Sequence, residues 1–232
     1  MRLYVSIAVL TLCFLAPLRA GIIVGNLPPV SERAATQLGE AGPSAGNFQK
    51  AQSFTMGNAD YTLDQASLRL SCSPVGDGGN CGALQSLTLQ LFSDNSGGPG
   101  SAIATLTHSF GVPLPPGFAT YDFTPGSPLD LTHGQTYWIV LGGVTNTVDF
   151  PVNNALMWSA SGALGTTPTG AGATYLSAKG SPDGGVSWNS SSIINSFELD
   201  GTPQGASSAP EPSTWMLVVA GVGLAGLRRR VR

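Results

Sequence analysis

The sequence predicts an all-β protein, a jelly-roll-like β-sandwich, with an N-terminal signal peptide before it and a C-terminal transmembrane helix after it. Three observations carry this. Apolar residues between Phe48 and Leu199 alternate with polar ones at a period of two. Each alternating run ends in Gly, Pro, Asn or Asp, as strands closed by turns require. Between residues 48 and 200 there is no apolar stripe at helical spacing.

In chain order, Met1-Arg2 is a short positive start and Leu3 to Leu15 is apolar. Ala16-Pro17-Leu18-Arg19-Ala20 then leads to a small residue before Gly21. This is the pattern of a secretory signal peptide over residues 1–20, cut after Ala20. Leu12 precedes Cys13, where a lipoprotein signal wants a small residue, so no lipid is expected there. Residues 21–47 read as a lead-in: Asn26-Leu27-Pro28-Pro29 is extended or turn-like, and Glu40 to Gly46 breaks any helix.

The sandwich domain is placed at residues 48–200. In Tyr61 to Leu70, Leu68 and Leu70 alternate with Ser67 and Arg69. In Leu84 to Phe92, Leu87, Leu89 and Leu91 alternate with Thr88 and Gln90. Thr136-Tyr137-Trp138-Ile139-Val140-Leu141 is a dense β-branched and aromatic run ending in Gly142-Gly143. Further strands are expected near 48–56, 102–110, 120–123, 155–160, 174–178 and 193–199. About ten short strands at this spacing argue for two packed sheets over a closed barrel. Gly201 to Ala209, rich in Ser and Gly and without core residues, reads as a flexible linker.

Composition narrows the function classes. Between residues 21 and 209 only Arg33, Lys50, Arg69 and Lys179 are basic, against twelve Asp and Glu, a formal balance of −8. Four scattered cations give no electrostatic footprint for nucleic acid. Two cysteines remain there, Cys72 and Cys81, separated by turn-forming residues from Ser73 to Asn80. In an oxidising compartment they are expected to form a local disulfide; a metal site from two cysteines without a nearby His is disfavoured.

The tail carries the most specific signal. Pro210-Glu211-Pro212 precedes the apolar run Trp215 to Leu227, which includes Leu217, Val219 and Leu224, and then Arg228-Arg229-Arg230-Val231-Arg232. The run is thin for a span, which ordinarily takes about 20 residues. Pro212 to Thr214 extend it, and the arginines can snorkel and hold the cytoplasmic side. The bland reading is a plain anchor. The order of parts resembles the PEP-CTERM sorting signal of exopolysaccharide-producing Gram-negative bacteria. That resemblance implies an inner-membrane precursor, processing by an exosortase near the Pro-Glu-Pro, and delivery to the cell surface or beyond. Residues 210–232 are assigned to it.

A second resemblance covers about residues 45–202. Leu89-Gln90-Leu91-Phe92-Ser93-Asp94 with Pro99 to Ile103, then Leu131 to Leu141, then Ser181 to Trp188, is similar to the choice-of-anchor R domain. It implies a β-sandwich whose function is undefined for the family. Within it, Ser181, Asp183, Gly185 and Trp188 also resemble the Asp-box of sialidases, a hairpin turn held by Asp with a Trp packed beneath. A sialidase's repeated boxes, arginine cluster and tyrosine nucleophile have no counterpart, so these four residues are read as a structural turn.

No catalytic residues are assigned. His108 and His133 are the only histidines. Asp122, Asp149 and Glu198 could pair as glycosidase carboxylates only if the fold brought two of them together. Asp77 to Asn80 and Asp94 to Gly98 offer oxygen ligands that suit calcium, yet neither follows the EF-hand loop. No metal ligands are therefore assigned and no cofactor is expected, with structural calcium as the open alternative. Tyr121, Trp158, Tyr175 and Trp188 are candidates to stack on sugar rings. The favoured reading is a non-enzymatic, structural or adhesive surface protein that touches exopolysaccharide. The alternative is a carbohydrate-binding module, and a surface hydrolase is disfavoured.

Overall fold

The computed structural model describes residues 20–32, 34–38, 48–74, 87–108, 117–142, 154–160 and 165–205. The described residues are all-β, with thirteen strands and no helix. The strands are β1 (Gly21–Gly25), β2 (Ala34–Leu38), β3 (Gln49–Met56), β4 (Tyr61–Pro74), β5 (Thr88–Asp94), β6 (Pro99–Thr107) and β7 (Ala119–Pro125). They continue with β8 (Leu129–Leu131), β9 (Thr136–Gly142), β10 (Asn154–Ala160), β11 (Ala173–Ser181), β12 (Asn189–Ser191) and β13 (Phe197–Pro203).

All pairings are antiparallel, and the strands form one hydrogen-bonded path rather than two separate sheets. The order along it is β1-β13-β4-β7-β6-β5-β9-β3-β11-β12, with β2, β8 and β10 attached through β4 and β10. β7 makes the join. Its Ala119–Phe123 pairs with β4, while Thr124 and Pro125 pair with β6. Beyond that corner the sheet curls, so that the inward residues of both halves share one core.

That core is the period-two pattern made solid. Leu63, Ala66, Leu68 and Leu70 of β4 meet Leu89 and Leu91 of β5, Phe54 and Met56 of β3, and Ile139 and Leu141 of β9. Trp158, Phe123, Phe197 and Leu199 complete it. Burying one such side chain contributes about 1.5–3 kcal/mol. Polar groups cross the same interior. Tyr175 donates its hydroxyl to Gln52 Oε1 at 2.9 Å, and Gln52 Nε2 donates to Asn195 Oδ1 at 3.1 Å. Asn195 Nδ2 donates to the Trp158 carbonyl at 2.7 Å and to Thr36 Oγ1 at 3.0 Å. This chain of bonds ties β11 and β3 to β10 and β2, and satisfies groups that would otherwise be costly to bury.

Two expected boundaries move. The lead-in before residue 48 is not outside the sheet: β1 pairs with β13, β2 pairs with β10, and Ile23, Val24 and Leu38 are fully buried. These strands are five residues long, too short for periodicity to declare them. Likewise Gly201 to Pro203, expected as linker, finish β13, with Thr62 pairing Thr202 and Tyr61 pairing Pro203. The composition there is linker-like because Gly201 must be small: a Cβ would stand 2.5 Å from the Thr62 carbonyl oxygen.

Candidate functional site

The β11–β12 connection gathers Ser181, Asp183, Gly185 and Trp188. Ser181 Oγ donates to Asp183 Oδ1 at 2.7 Å and accepts the Gly185 N–H at 2.7 Å. Asp183 Oδ1 also accepts the Ser187 N–H at 2.9 Å, and Oδ2 accepts the Ser187 hydroxyl at 2.6 Å. These bonds, led by the Ser187 hydroxyl, hold the Asp183 carboxyl down at about 2. Gly184 and Gly185 have φ of 75° and 95°, a left-handed pair that the turn needs and side chains resist.

The turn hangs Trp188 over the outer face of β3 and β9. There Trp188 and Phe92 pack against a small second cluster of Ala51, Trp138 and Val140. Lys179 on β11 places its ammonium 5.8 Å from the Trp138 ring centroid, within cation–π range. The β5–β6 turn closes the other side. Asp94 Oδ1 accepts the Trp138 indole N–H at 2.7 Å and Oδ2 accepts the Gly97 N–H at 3.1 Å. Both carboxylate oxygens of this calcium candidate are therefore engaged in holding the turn and the indole. Among the described residues no group of three His, Cys, Asp or Glu is arranged to hold a metal ion. The Asp77 to Asn80 loop lies outside the described residues.

The opposite outer face is acidic. The register sets Glu198 of β13 and Asp122 of β7 on either side of Ser67 in β4, with Asp200 opposite Gln65. Ser67 Oγ donates to Asp122 Oδ1 at 2.8 Å, and Gln65 Nε2 donates to Ser67 Oγ at 3.0 Å. Thr202 Oγ1 donates to Asp64 Oδ2 at 2.8 Å beside them. Partial burial raises the Glu198 carboxyl, and repulsion from Asp200 and Asp122 adds to it. Asp200 is raised by burial and then by Asp122 and Asp64. The pairing of Asp122 with Glu198 across one serine was not visible in sequence; only the strand register creates it. Asp149 lies outside the described residues.

Two histidines sit at strand ends. His133, in the turn before β9, donates its backbone N–H to Asp60 Oδ1 at 2.6 Å and places Nδ1 2.7 Å from the same oxygen. These bonds, the backbone one first, lower the Asp60 carboxyl. His108 follows β6, with Nδ1 2.6 Å from the Asp122 carbonyl and its ring edge-on to Tyr121 at 5.5 Å.

The four sugar-stacking candidates do not share a face. Trp158 is fully buried, with Nε1 donating to the Ser196 carbonyl at 2.9 Å. Tyr175 points into the interior network, where burial pushes its phenol up. Tyr121 packs against the same core, and Trp188 lies on the outer face of β3 and β9. No shared platform of the four exists to receive a sugar chain.

Lys50 is the buried group that the sequence did not flag. It is 1 % exposed, on the inward side of β3 with Gln52 and Phe54, and its Nζ donates to Ser191 Oγ on β12. Desolvation lowers its ammonium to about 8.

Other assigned residues fall outside the described part. Cys72 is in β4 opposite Leu156, but its side chain and Cys81 are beyond what is described, and no disulfide is present among the described residues. Residues 1–19 of the expected signal peptide and the whole tail after Gly205, including Pro210 to Pro212, Trp215 to Leu227 and Arg228 to Arg232, also lie outside. Among the described residues no helix is long and apolar enough to cross a membrane.

Comparison with known proteins identifies the tail. Residues 208–232 match the PEP-CTERM protein-sorting motif. No curated protein matches the chain. The matched motif is the address of exported exosortase substrates, anchored in the membrane before processing.

Proposed function

We propose that this chain is a non-enzymatic surface or extracellular-matrix protein, sorted by an exosortase, whose β-domain has a structural or adhesive role in contact with exopolysaccharide. The observation that carries the reading is the sorting motif at 208–232, only a few residues beyond the end of β13 at Pro203. So short a connection keeps the domain beside the membrane until the tail is cut. The curled sheet closed over one core supports a jelly-roll-like sandwich, and we read its central stretch as related to the choice-of-anchor R domain. The network of inward hydrogen bonds and the self-satisfied Asp183 turn support a scaffold rather than a reaction centre. A role in matrix fits an acidic, densely bonded domain that reaches the outside through a route used by exopolysaccharide producers.

The test is the intact mass and location of the protein in strains with and without their exosortase. A product trimmed at both ends and found outside only when the exosortase is present is the expected result. A full-length C-terminus kept in the membrane in both strains would reduce the tail to an ordinary anchor.

A further inference from the structure

Lys50 is a cation that the fold buries without a counter-charge. It is 1 % exposed, and the ion pairs among the described residues are Arg69 with Glu32 and His133 with Asp60. The residues opposite it on β9 and β11 are Leu141 and Gly180, neither of which titrates. Among the described residues its ammonium has one hydrogen-bond partner, Ser191 Oγ of β12. A buried charge held by one hydroxyl is costly, and an apolar side chain of similar length would avoid the cost.

Small residues give the lysine its path to the serine. β11 lies between β3 and β12 in the sheet, so the Lys50 stem must cross it. Opposite Ser191 and Asn189, β11 carries Ala178 and Gly180, and Gly180 is also the residue opposite Lys50. A methyl group and a hydrogen at these two places leave room for the stem. Ser191 stands at the far end, on the rim. β12 pairs with β11 alone among the described residues. Ser191 is half-buried, while Asn189, Ser190 and Ser192 around it are exposed. Its Oγ also accepts the Ile193 N–H at 3.2 Å. An oxygen so placed has what a nucleophile needs: a base within hydrogen-bond reach and a donor for the charge that develops. Desolvation favours the neutral amine, lowering the Lys50 ammonium to about 8. Lysine serves serine as a base in this way on unrelated folds.

We propose that Ser191 is an acyl acceptor, with Lys50 as its general base, for short carboxylic esters. Ser191 Oγ attacks the ester carbonyl while Lys50 Nζ takes the hydroxyl proton. The tetrahedral intermediate then collapses, the acyl–oxygen bond of the donor breaks, and the departing alcohol takes the proton from Lys50. The products are an ester on Ser191 and a free alcohol, and no electrons are gained or lost. Asn189, Ser190 and Ser192 beside it are polar, which suits a short acyl group over a lipid chain. One transfer per chain is a modification of the protein, so the non-enzymatic reading stands beside it. The proposal concerns β3 and β12 and is tested without reference to the tail.

The test uses the full-length chain in detergent, with p-nitrophenyl acetate as the donor. Nitrophenolate should appear in a burst of one equivalent, and peptide mass analysis should find the acetyl group on Ser191. Lys50→Met should slow that burst by about 100-fold or more, the usual share of a positioned base. Lys50→Gln is the second variant should the first lose its fold, which its melting temperature reports. Ser191→Ala should abolish the burst, whereas Ser190→Ala, at an exposed neighbour, should not. In the unmodified chain the burst should quicken as pH rises through about 8, where Lys50 gives up its proton. p-Nitrophenyl dodecanoate, the lipid-like donor, should react more slowly. Acetyl found only at other residues, a burst at Ser191 that the folded Lys50 variants leave unchanged, or a faster reaction with dodecanoate overturns the proposal.

Discussion

The indole N–H of Trp138 donates to Oδ1 of Asp94 at 2.7 Å, joining the middle of β9 to the end of β5. Trp138 is 1 % exposed, so its N–H has no ready replacement in water. Removing the acceptor leaves that donor stranded and also frees the Gly97 N–H. Asp94→Ala should therefore cost about 1–3 kcal/mol in urea unfolding, whereas Asp94→Asn, which keeps one carbonyl acceptor, should cost less. Equal losses would mean that the carboxylate acts through charge alone.

Lys50 supplies a pH dependence of defined sign. Its folded pKa, about 8, lies below the ordinary 10.5, so folding disfavours the ammonium. The penalty is complete below pH 8 and is relieved as pH rises from 8 towards 10.5. Lys50→Met should raise stability at pH 7 by ~1–2 kcal/mol, a figure reduced because the ammonium keeps its hydrogen bond to Ser191 Oγ. At pH 10.5 the difference between the two proteins should shrink. A gap independent of pH would assign the effect to packing.

On the acidic face the sign is reversed in chemistry and the consequence is again destabilising at neutral pH. Glu198 is raised by burial and then by Asp200 and Asp122, and Asp200 by burial and then by Asp122 and Asp64, so their ionised forms are less welcome in the fold than in the open chain. Their contribution favours the fold below the unfolded pKa and is lost as pH rises through the raised folded values. Glu198→Gln should stabilise by a few tenths of a kcal/mol, at most about 1 kcal/mol, at pH 7 and by nothing near pH 3. Thermal melts at the two pH values, at low and high salt, separate this from a packing change.

How much of this was legible beforehand follows from what kind of signal each part gives. Leu68, Leu70, Leu89 and Leu91 announce their strands because long half-buried strands must alternate. β1, β2, β8 and β12 do not, since three to five residues carry too few alternations. The Asp183 turn is local in sequence, so its partners are all within a few positions and can be anticipated as a group. The Asp122–Ser67–Glu198 row and the bond from Trp138 to Asp94 depend on register between distant strands, which no local pattern encodes. Lys50 misled for another reason: lysine is ordinarily exposed, and only the β3 pleat turns it inward beside Gln52 and Phe54.

Cys72 lies in the last part of β4, opposite Leu156 of β10, just before the turn-rich segment that leads to Cys81. If the two are joined, the bridge closes a short ring and contributes about 2–3 kcal/mol by restricting the unfolded chain. Cys72→Ser should then lower the melting temperature under oxidising conditions only. A loss of the same size with reductant present would remove the disulfide, because the reduced reference already lacks it.

The sorting motif gives the sharpest separation between folding and address. β13 ends at Pro203, and Gln204 still bonds back to the sheet through its N–H to the Asp60 carbonyl at 2.8 Å. Pro210 to Pro212 follow it in the chain, within the matched residues 208–232. Deleting these three residues should leave the melting temperature of the β-domain unchanged, since its buried core is built from strands that end at Pro203. Export across the inner membrane should also proceed, because the signal peptide expected over residues 1–20 is left intact. Only the cut should fail, so the precursor should accumulate in the inner membrane with its C-terminal arginines intact by mass. Release at the normal yield would show that processing does not read Pro-Glu-Pro, and an unstable β-domain would show that the tail contributes to the fold.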